Sequence, residues 1–202
     1  EMCIRDSPNV PYLPREGANL PRNMWGQIYF NCASEICAEN LLDLVHADYL
    51  HADFVGDEIN EGDHVEVTST SETVTMIREV TGKQIPPMLR ALGVPAKKAD
   101  YRAVAHVHVR SNTVVLHGQF KPGFSQPLFH PLIPESQYLC RNNYTFNIKD
   151  APLIARNLFP LFAYGIGPQD NVMMRQQNPR YLEPNQPRDA SSRFDTAASR
   201  YR

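Results

Sequence analysis

The segment from Glu39 to His51 contains side chains of the types that bind metal ions. It reads ENLLDLVHADYLH and contains the pattern E-x3-D-x2-H-x4-H. Two neutral imidazoles this close together can bind one divalent metal when both rings are held in place. His46 and His51 are five residues apart, so they would diverge by roughly 140° around a regular helix. The helix must therefore end or bulge between them if both are to bind one metal.

The same segment also has an ordinary interpretation. Two histidines near an amphipathic helix can be packed or surface residues without any ligand. Asp43 precedes His46 by three residues, which makes the two neighbours on a helix face. The alternative is that Asp43 is a solvated helix residue.

The pattern resembles the iron-binding signature of Rieske non-heme iron oxygenases. The residues of this segment are most similar to those of the single-oxygenase branch, which includes vanillate O-demethylase. In that family two histidines and a later carboxylate bind Fe(II) as a 2-His-1-carboxylate triad, so the resemblance implies that His46 and His51 are ligands. It also implies a catalytic role for Asp43, which would hydrogen-bond a ligand histidine and link it to a Rieske-cluster histidine on the neighbouring subunit. Glu39 belongs to the signature without an assigned role.

The third ligand is expected far downstream, at the start of a C-terminal helix. The stretch YGIGPQDNVMMRQQ, which begins at Tyr164, resembles the family's approach to this carboxylate and puts Asp170 at the ligand position. Pro168 just before it suits a first helical turn. Without a metal, Asp170 would be an ordinary aspartate stabilised by the helix dipole. Asp150 and Glu135 are the alternative carboxylates.

Three ligands on one face would leave positions on Fe(II) open for O2 beside a substrate. The resemblance therefore implies an oxidoreductase, a Rieske-type mono- or dioxygenase that hydroxylates or O-demethylates an apolar, ring-containing substrate. NAD(P)H would supply electrons through a reductase or ferredoxin, and the full-length protein would be a homotrimer. The alternative is a metal-free helix-grip module that binds a hydrophobic ligand.

A Rieske [2Fe–2S] cluster needs two cysteines and two histidines, which the family places in C-x-H and C-x-x-H motifs. No cysteine of this chain has a histidine at either offset; the four are Cys3, Cys32, Cys37 and Cys140. We therefore expect the cluster in the full-length protein but not in this chain. Residues 1–7 resemble translated sequencing-adapter read-through. The expected organisation continues with a connector from a missing Rieske domain at 8–24 and a catalytic domain, truncated at its C-terminus, at 25–202.

Hydrophobic periodicity predicts the elements that must position these residues. One apolar stripe predicts a helix over residues 31–49. Alternating or β-branched runs predict strands at 64–68, 73–80, 103–110, 113–116 and 138–148. Two further helices are predicted at 151–164 and 169–177. This order indicates an α+β domain with an antiparallel sheet covered by helices, and the resemblance implies the helix-grip (START/Bet v 1-like) fold.

Four other histidines are weaker candidates. His106 and His108 lie two apart on a predicted strand, so both point to the same face. They lack the nearby glutamate that follows H-x-H in cupin metal sites. His117 and His130 could line the substrate pocket. The paired methionines Met173 and Met174 favour core or pocket wall over chemistry.

The composition excludes several classes of function. The chain has 202 residues, of which 42% are hydrophobic, and this is enough for one domain with a sizeable core. Its net charge of −2 gives no reason to expect binding to nucleic acid or an anionic membrane. No run of 18 apolar residues predicts a transmembrane helix. Few, scattered cysteines indicate a reducing, cytoplasmic location.

Overall fold

The structure is a computed structural model that describes residues 24–56, 63–146, 153–183 and 195–201. Within these ranges, seven strands form one antiparallel sheet in the order β1-β7-β6-β5-β4-β3-β2. The strands are β1 (Met24–Phe30), β2 (His64–Ser69), β3 (Thr73–Gln84), β4 (Lys98–His108), β5 (Thr113–Lys121), β6 (Ser125–Ser136) and β7 (Leu139–Phe146). The helices are α1 (Ser34–Leu42), α2 (His46–Leu50), α3 (Pro87–Ala91), α4 (Leu153–Tyr181) and α5 (Thr196–Tyr201).

Strand alternation gives the sheet a buried inner face and a more open outer face. On β4, Ala103, Ala105 and Val107 are buried, and the residues between them are half-buried. Because successive side chains of a strand point to opposite faces, the buried residues of β3 to β7 share the inner face. Part of that face packs against α1, α5 and part of α4 in one apolar cluster. A second cluster includes Phe120 and Tyr144 of the sheet. The α+β class and the helix-grip arrangement are therefore confirmed.

Two strands were not predicted. β6 carries prolines at 127, 131 and 134, and proline cannot donate to a strand ladder, so it argues against a central strand. β1 is an edge strand of the sheet and pairs with β7, with Met24 opposite Phe146 and Phe30 opposite Cys140. The sheet edge that faces α4 is thus built from the first and last strands.

The predicted helix at 31–49 is two helices. α1 ends at Leu42 and α2 begins at His46, with Asp43 as the C-cap of α1. Asp43 and His46 therefore lie on either side of a break, and not on one helix face.

The two helices predicted at 151–164 and 169–177 are instead one continuous helix, α4. Pro168 lies in its interior, and so does Asp170, so neither occupies a first helical turn. The glycines at 165 and 167 allow α4 to pack closely against Phe54 and Ile28. A Cβ on Gly165 would lie 3.0 Å from the Phe54 ring, and one on Gly167 would lie 2.9 Å from Ile28 Cδ1.

The predicted artefact at 1–7, most of the predicted connector at 8–24 and the alternative ligand Asp150 lie outside the described residues. These assignments remain predictions. None of the described helices is both long and apolar enough to cross a membrane.

Candidate metal centre

Three predicted ligands meet between α2 and α4. His51 Nε2 lies 3.1 Å from Asp170 Oδ1, and His46 Nε2 lies 3.5 Å from the same oxygen. One ligand atom from each residue lies within 4.8 Å of the others, and the described residues contain no other such group of three. The side chains of His51 and Asp170 are 3% and 10% exposed, whereas that of His46 is 22% exposed. The site therefore opens toward solvent on the His46 side.

The break between α1 and α2 sets the direction of both imidazoles. Asp43 Oδ1 accepts hydrogen bonds from the backbone N–H groups of Val45, at 2.9 Å, and His46, at 3.2 Å. These bonds satisfy donors at the start of α2, which would otherwise lack partners. α2 ends at Leu50, and His51 follows as its C-cap. The helix therefore ends between the two histidines, as their spacing requires for one shared metal.

The outer nitrogen of each imidazole is held by an oxygen. His46 Nδ1 donates to the backbone carbonyl of Asp43 at 2.5 Å, and His51 Nδ1 donates to Gln169 Oε1 at 2.7 Å. A carbonyl oxygen can only accept, so each neutral ring carries its proton on Nδ1 and leaves the Nε2 lone pair for a metal.

Asp170 is held as a carboxylate. Burial alone would raise its pKa, but the imidazoles of His46 and His51 outweigh burial and lower the pKa to about 2. Burial would likewise lower the pKa of His46, yet the neighbouring carboxylates of Asp170 and then Asp43 raise it. Asn40 Nδ2 donates to Asp170 Oδ1 at 3.2 Å and fixes its orientation. Asp170 therefore presents an ionised carboxylate oxygen to the two imidazoles.

Asp43 contacts His46, but its side chain does not bind the His46 ring. The Asp43 carboxylate binds backbone N–H groups, and its main-chain carbonyl binds the His46 ring. The expected link from Asp43 to a cluster in another subunit remains a prediction. Glu39 lies on α1, and its carbonyl accepts the backbone N–H of Asp43 at 3.0 Å.

The other histidines on β4 and β5 lie away from this centre. His106 and His108 share the outer sheet face, as predicted, and their Nδ1 atoms lie 2.7 Å from Thr75 Oγ1 and 2.9 Å from Ser111 Oγ. His117 also lies on the outer face, because its neighbour Leu116 packs into the core. The expectation that His117 lines the pocket is therefore wrong.

The alternative carboxylate Glu135 is remote from the centre as well. It forms an ion pair with Arg141, 2.6 Å from its Nε, and its side chain is 38% exposed. Of the paired methionines, Met174 is buried in the core and Met173 is 41% exposed.

His130 is buried on the inner face of β6, and its place in a substrate pocket stays a prediction. Its Nδ1 lies 3.2 Å from the side-chain amide nitrogen of Asn142. Its Nε2 is buried and has no hydrogen-bond partner among the described residues. Burial lowers the pKa of His130 to about 4, so the ring is neutral at pH 7. A neutral imidazole with one unused nitrogen can form a hydrogen bond with a polar group of a ligand.

Sequence reasoning missed three amides that support these residues. Asn40 holds Asp170, Gln169 holds His51, and Asn142 holds His130. Asn40 lies inside the histidine motif and Gln169 lies beside Asp170, so adjacency was the signal available for those two. Asn142 had no comparable signal, because its pairing depends on the register of β6 and β7.

The donor set fits a mononuclear iron centre. Two imidazole nitrogens and one carboxylate oxygen are the ligands of a 2-His-1-carboxylate triad, which leaves coordination positions open. The Nδ1 hydrogen bonds leave Nε2 of each ring as the atom that faces Asp170, whose carboxyl group is ionised. The chain offers no comparable donors for a Rieske cluster in its described part, where Cys32, Cys37 and Cys140 are free and buried.

Comparisons with solved structures agree with this architecture. Dicamba monooxygenase bound to 3,6-dichlorosalicylic acid superposes with a TM-score of 0.79 at 17% identity, over 89% of this chain and 56% of that one. Dicamba monooxygenase with non-heme iron and dicamba gives 0.65 at 17% identity, over 90% and 56%. NdmA of Pseudomonas putida CBB5 with caffeine gives 0.65 at 16% identity, over 95% and 53%. At these identities the likeness shows the fold alone.

This chain spans little more than half the length of those solved proteins. No curated protein sequence gives a significant match to it. A family model described as the vanillate O-demethylase oxygenase C-terminal domain matches residues 30–202. Since this match covers far more than half of the 202 residues, the chain belongs to the vanillate O-demethylase oxygenase C-terminal domain family.

Proposed function

We propose that this chain is the catalytic domain of a Rieske-type oxygenase and binds one Fe(II) through His46, His51 and Asp170. The convergence of these three ligand atoms within 4.8 Å, with both imidazoles held at Nδ1, carries the proposal. Family membership and the iron-containing relative support the choice of iron. When bound, the metal supplies O2 activation for hydroxylation or O-demethylation of an apolar, ring-containing substrate.

The residues of this chain would prepare that chemistry. The carbonyl of Asp43 and the amide of Gln169 hold the two rings, and Asn40 holds the carboxylate. Because these partners are in place before the metal, little reorganisation is required on binding. The more exposed His46 lies on the side from which metal or reductant would approach.

His130 would orient the substrate. Its buried Nε2 faces away from Asn142 and lacks a partner among the described residues. A buried polar atom without a partner is costly, so a ligand oxygen or nitrogen that binds there would be favoured. We therefore infer a substrate that combines an apolar ring with at least one polar substituent.

Electrons would come from outside this chain. A Rieske cluster in the full-length protein would deliver them, and a reductase or ferredoxin would draw them ultimately from NAD(P)H. In a homotrimer the cluster of a neighbouring subunit would lie near Asp43. These partners rest on the resemblance to the family.

Iron binding tests the proposal directly. The parent protein should bind about one Fe(II) per chain, and His46→Ala should lose at least about tenfold in affinity, since removal of even an outer support of a ligand costs 10–100-fold. Measurement is by anaerobic titration against a chromophoric chelator. His106→Ala is the matched control, because His106 is a half-buried histidine on the opposite face of the sheet; it should bind as the parent does.

Two outcomes would contradict the proposal. The parent could bind no iron while His46→Ala keeps full binding of a hydrophobic small molecule. That result would favour a metal-free module for hydrophobic ligands. Equal losses in His46→Ala and His106→Ala would show that the effect is not specific to the centre.

A further inference from the structure

Four charged side chains are buried together beneath α2. Asp48 belongs to α2, Arg78 and Lys83 belong to β3, and Asp63 immediately precedes β2. The side-chain exposures are 2% for Asp48, 1% for Arg78, 2% for Lys83 and 1% for Asp63. Two cations thus meet two carboxylates. Charges removed from water this completely persist only when they are paired.

A bulge in β3 brings both cations to the same face. Met76, Arg78 and Val80 alternate inward in a regular strand. The register then shifts between Val80 and Lys83, and Gly82 adopts a φ of 65°. An extra residue at a bulge reverses the alternation, and glycine tolerates the positive φ. Lys83 therefore points inward beside Arg78 and not toward solvent.

The two cations contact the chain on both sides of His46. Lys83 Nζ lies 2.7 Å from Asp48 Oδ1, and Arg78 Nη2 forms an ion pair with Asp48 Oδ2. Arg78 Nη1 also donates to the backbone carbonyl of Leu44 at 3.0 Å. Leu44 precedes His46 by two residues, and Asp48 follows it by two. The sheet thus holds the main chain that carries His46 from both directions.

α2 needs such support because it has only five residues. An isolated helix this short is unstable, since nucleation costs more than so few hydrogen bonds return. Its side chains divide between two tasks: His46 and the following His51 meet Asp170, whereas Asp48 enters the core.

We propose that Asp48 is a positioning residue, which ties α2 to β3 through Lys83 and Arg78 and so holds the imidazoles of His46 and His51 in register with Asp170. The inference rests on the proposed metal site. It goes beyond charge balance, because Asp63 already forms an ion pair with Arg78. The pair of Asp48 with Lys83 adds a second connection between the sheet and the metal-binding helix. Burial would lower the pKa of Arg78, but the carboxylates of Asp48 and then Asp63 outweigh it, which keeps the cation charged.

The test separates anchoring from folding. Asp48→Asn alone leaves Lys83 buried without its carboxylate, so it could unfold the chain. The double variant Asp48→Asn with Lys83→Met removes both charges, so it should fold, and it removes the ion pairs of Asp48 with β3. Its affinity for Fe(II) and Co(II) should fall about 10–100-fold, as when the outer support of a ligand is lost. The visible absorption spectrum of bound Co(II), which reports coordination geometry, should change.

Asp63→Asn is the matched control. It also removes a buried carboxylate from Arg78, but Asp63 lies outside α2. It should lower the midpoint of thermal unfolding, yet leave the Co(II) spectrum and metal affinity unchanged. Affinity and spectrum are measured with the full chain and each metal alone, and circular dichroism follows unfolding.

Three results would overturn the inference in distinguishable ways. Parent-like affinity and spectrum in the double variant would reduce Asp48 to a core residue. An equal loss of affinity in Asp63→Asn would assign the effect to general destabilisation. Failure of the parent itself to bind either metal would remove the proposed centre, and this inference with it.

Discussion

At the residue scale, each imidazole of the proposed centre is held by an oxygen that accepts from its Nδ1, and Gln169 holds His51. Gln169→Leu removes the acceptor that lies 2.7 Å from His51 Nδ1. The ring can then rotate or change tautomer, so Fe(II) affinity should fall about 10–100-fold. The chelator titration described for His46→Ala measures this loss. Gln176→Leu, an exposed glutamine on the same helix, is the control and should leave affinity unchanged.

The pH dependence of stability should report the burial of His130. Because burial lowers its pKa from 6.5 to about 4, the unfolded chain takes up a proton near pH 6.5 that the folded protein resists until about pH 4. Stability therefore falls as pH decreases through this window. The loss attributable to His130 is about 3 kcal/mol, at 1.36 kcal/mol per pKa unit.

His130→Gln should remove this contribution. Between pH 6.5 and pH 4, the unfolding free energy of the metal-free variant should decline by about 3 kcal/mol less than that of the parent. Urea denaturation at the two pH values measures both declines. Parallel declines in parent and variant would show that His130 is not buried in its neutral form.

Sequence reasoning at this scale identified residues but not their partners. His46, His51 and Asp170 carry a recognisable pattern, and the structure brings them together. Asn142 and Lys83 could not be found, because a strand register and a bulge set their contacts. His117 was misplaced for a related reason: β5 carries apolar residues on both faces, so alternation did not reveal which face is inward.

At the scale of elements, tertiary packing overrode local signals in α4. Two helices were predicted at 151–164 and 169–177, with Pro168 just ahead of the second. The helix continues instead, and two of its glycines allow close approach to Phe54 and Ile28. The opposite error occurred at 31–49, where one apolar stripe predicted a single helix but the structure has two helices with a break at Asp43. The Asp43 carboxylate stabilises that break, because it accepts hydrogen bonds from the backbone N–H groups of Val45 and His46.

Gly26 of β1 packs closely against the side chain of Tyr144 on β7. A Cβ at Gly26 would lie 2.2 Å from the hydroxyl oxygen of Tyr144, which is 4% exposed. Gly26→Ala should therefore displace this ring and destabilise the protein by about 1–3 kcal/mol. Gly118→Ala is the matched strand control, since its Cβ would meet Tyr101 at an ordinary 3.8 Å. Chemical denaturation compares the two, and equal stabilities would contradict the tight packing.

At the scale of the whole molecule, the sheet and helices form a complete frame for the proposed iron ligands but not for electron supply. Composition and strand alternation were enough to predict the α+β class, because a polar outer face and an apolar inner face are encoded locally. They did not give β1 or β6, whose pairing depends on strands far along the chain. The chain covers 56% of the dicamba monooxygenase chain. The proposed cluster would be supplied by the rest of a longer oxygenase.

The position of the metal is the most direct test of the central proposal. A crystal of the Fe(II)-loaded protein, measured on both sides of the iron absorption edge, should show one anomalous peak per chain. We expect that peak within coordination distance of His46 Nε2, His51 Nε2 and an Asp170 carboxylate oxygen. A peak at His106 and His108, or an iron-loaded crystal with no peak between α2 and α4, would contradict the proposed centre.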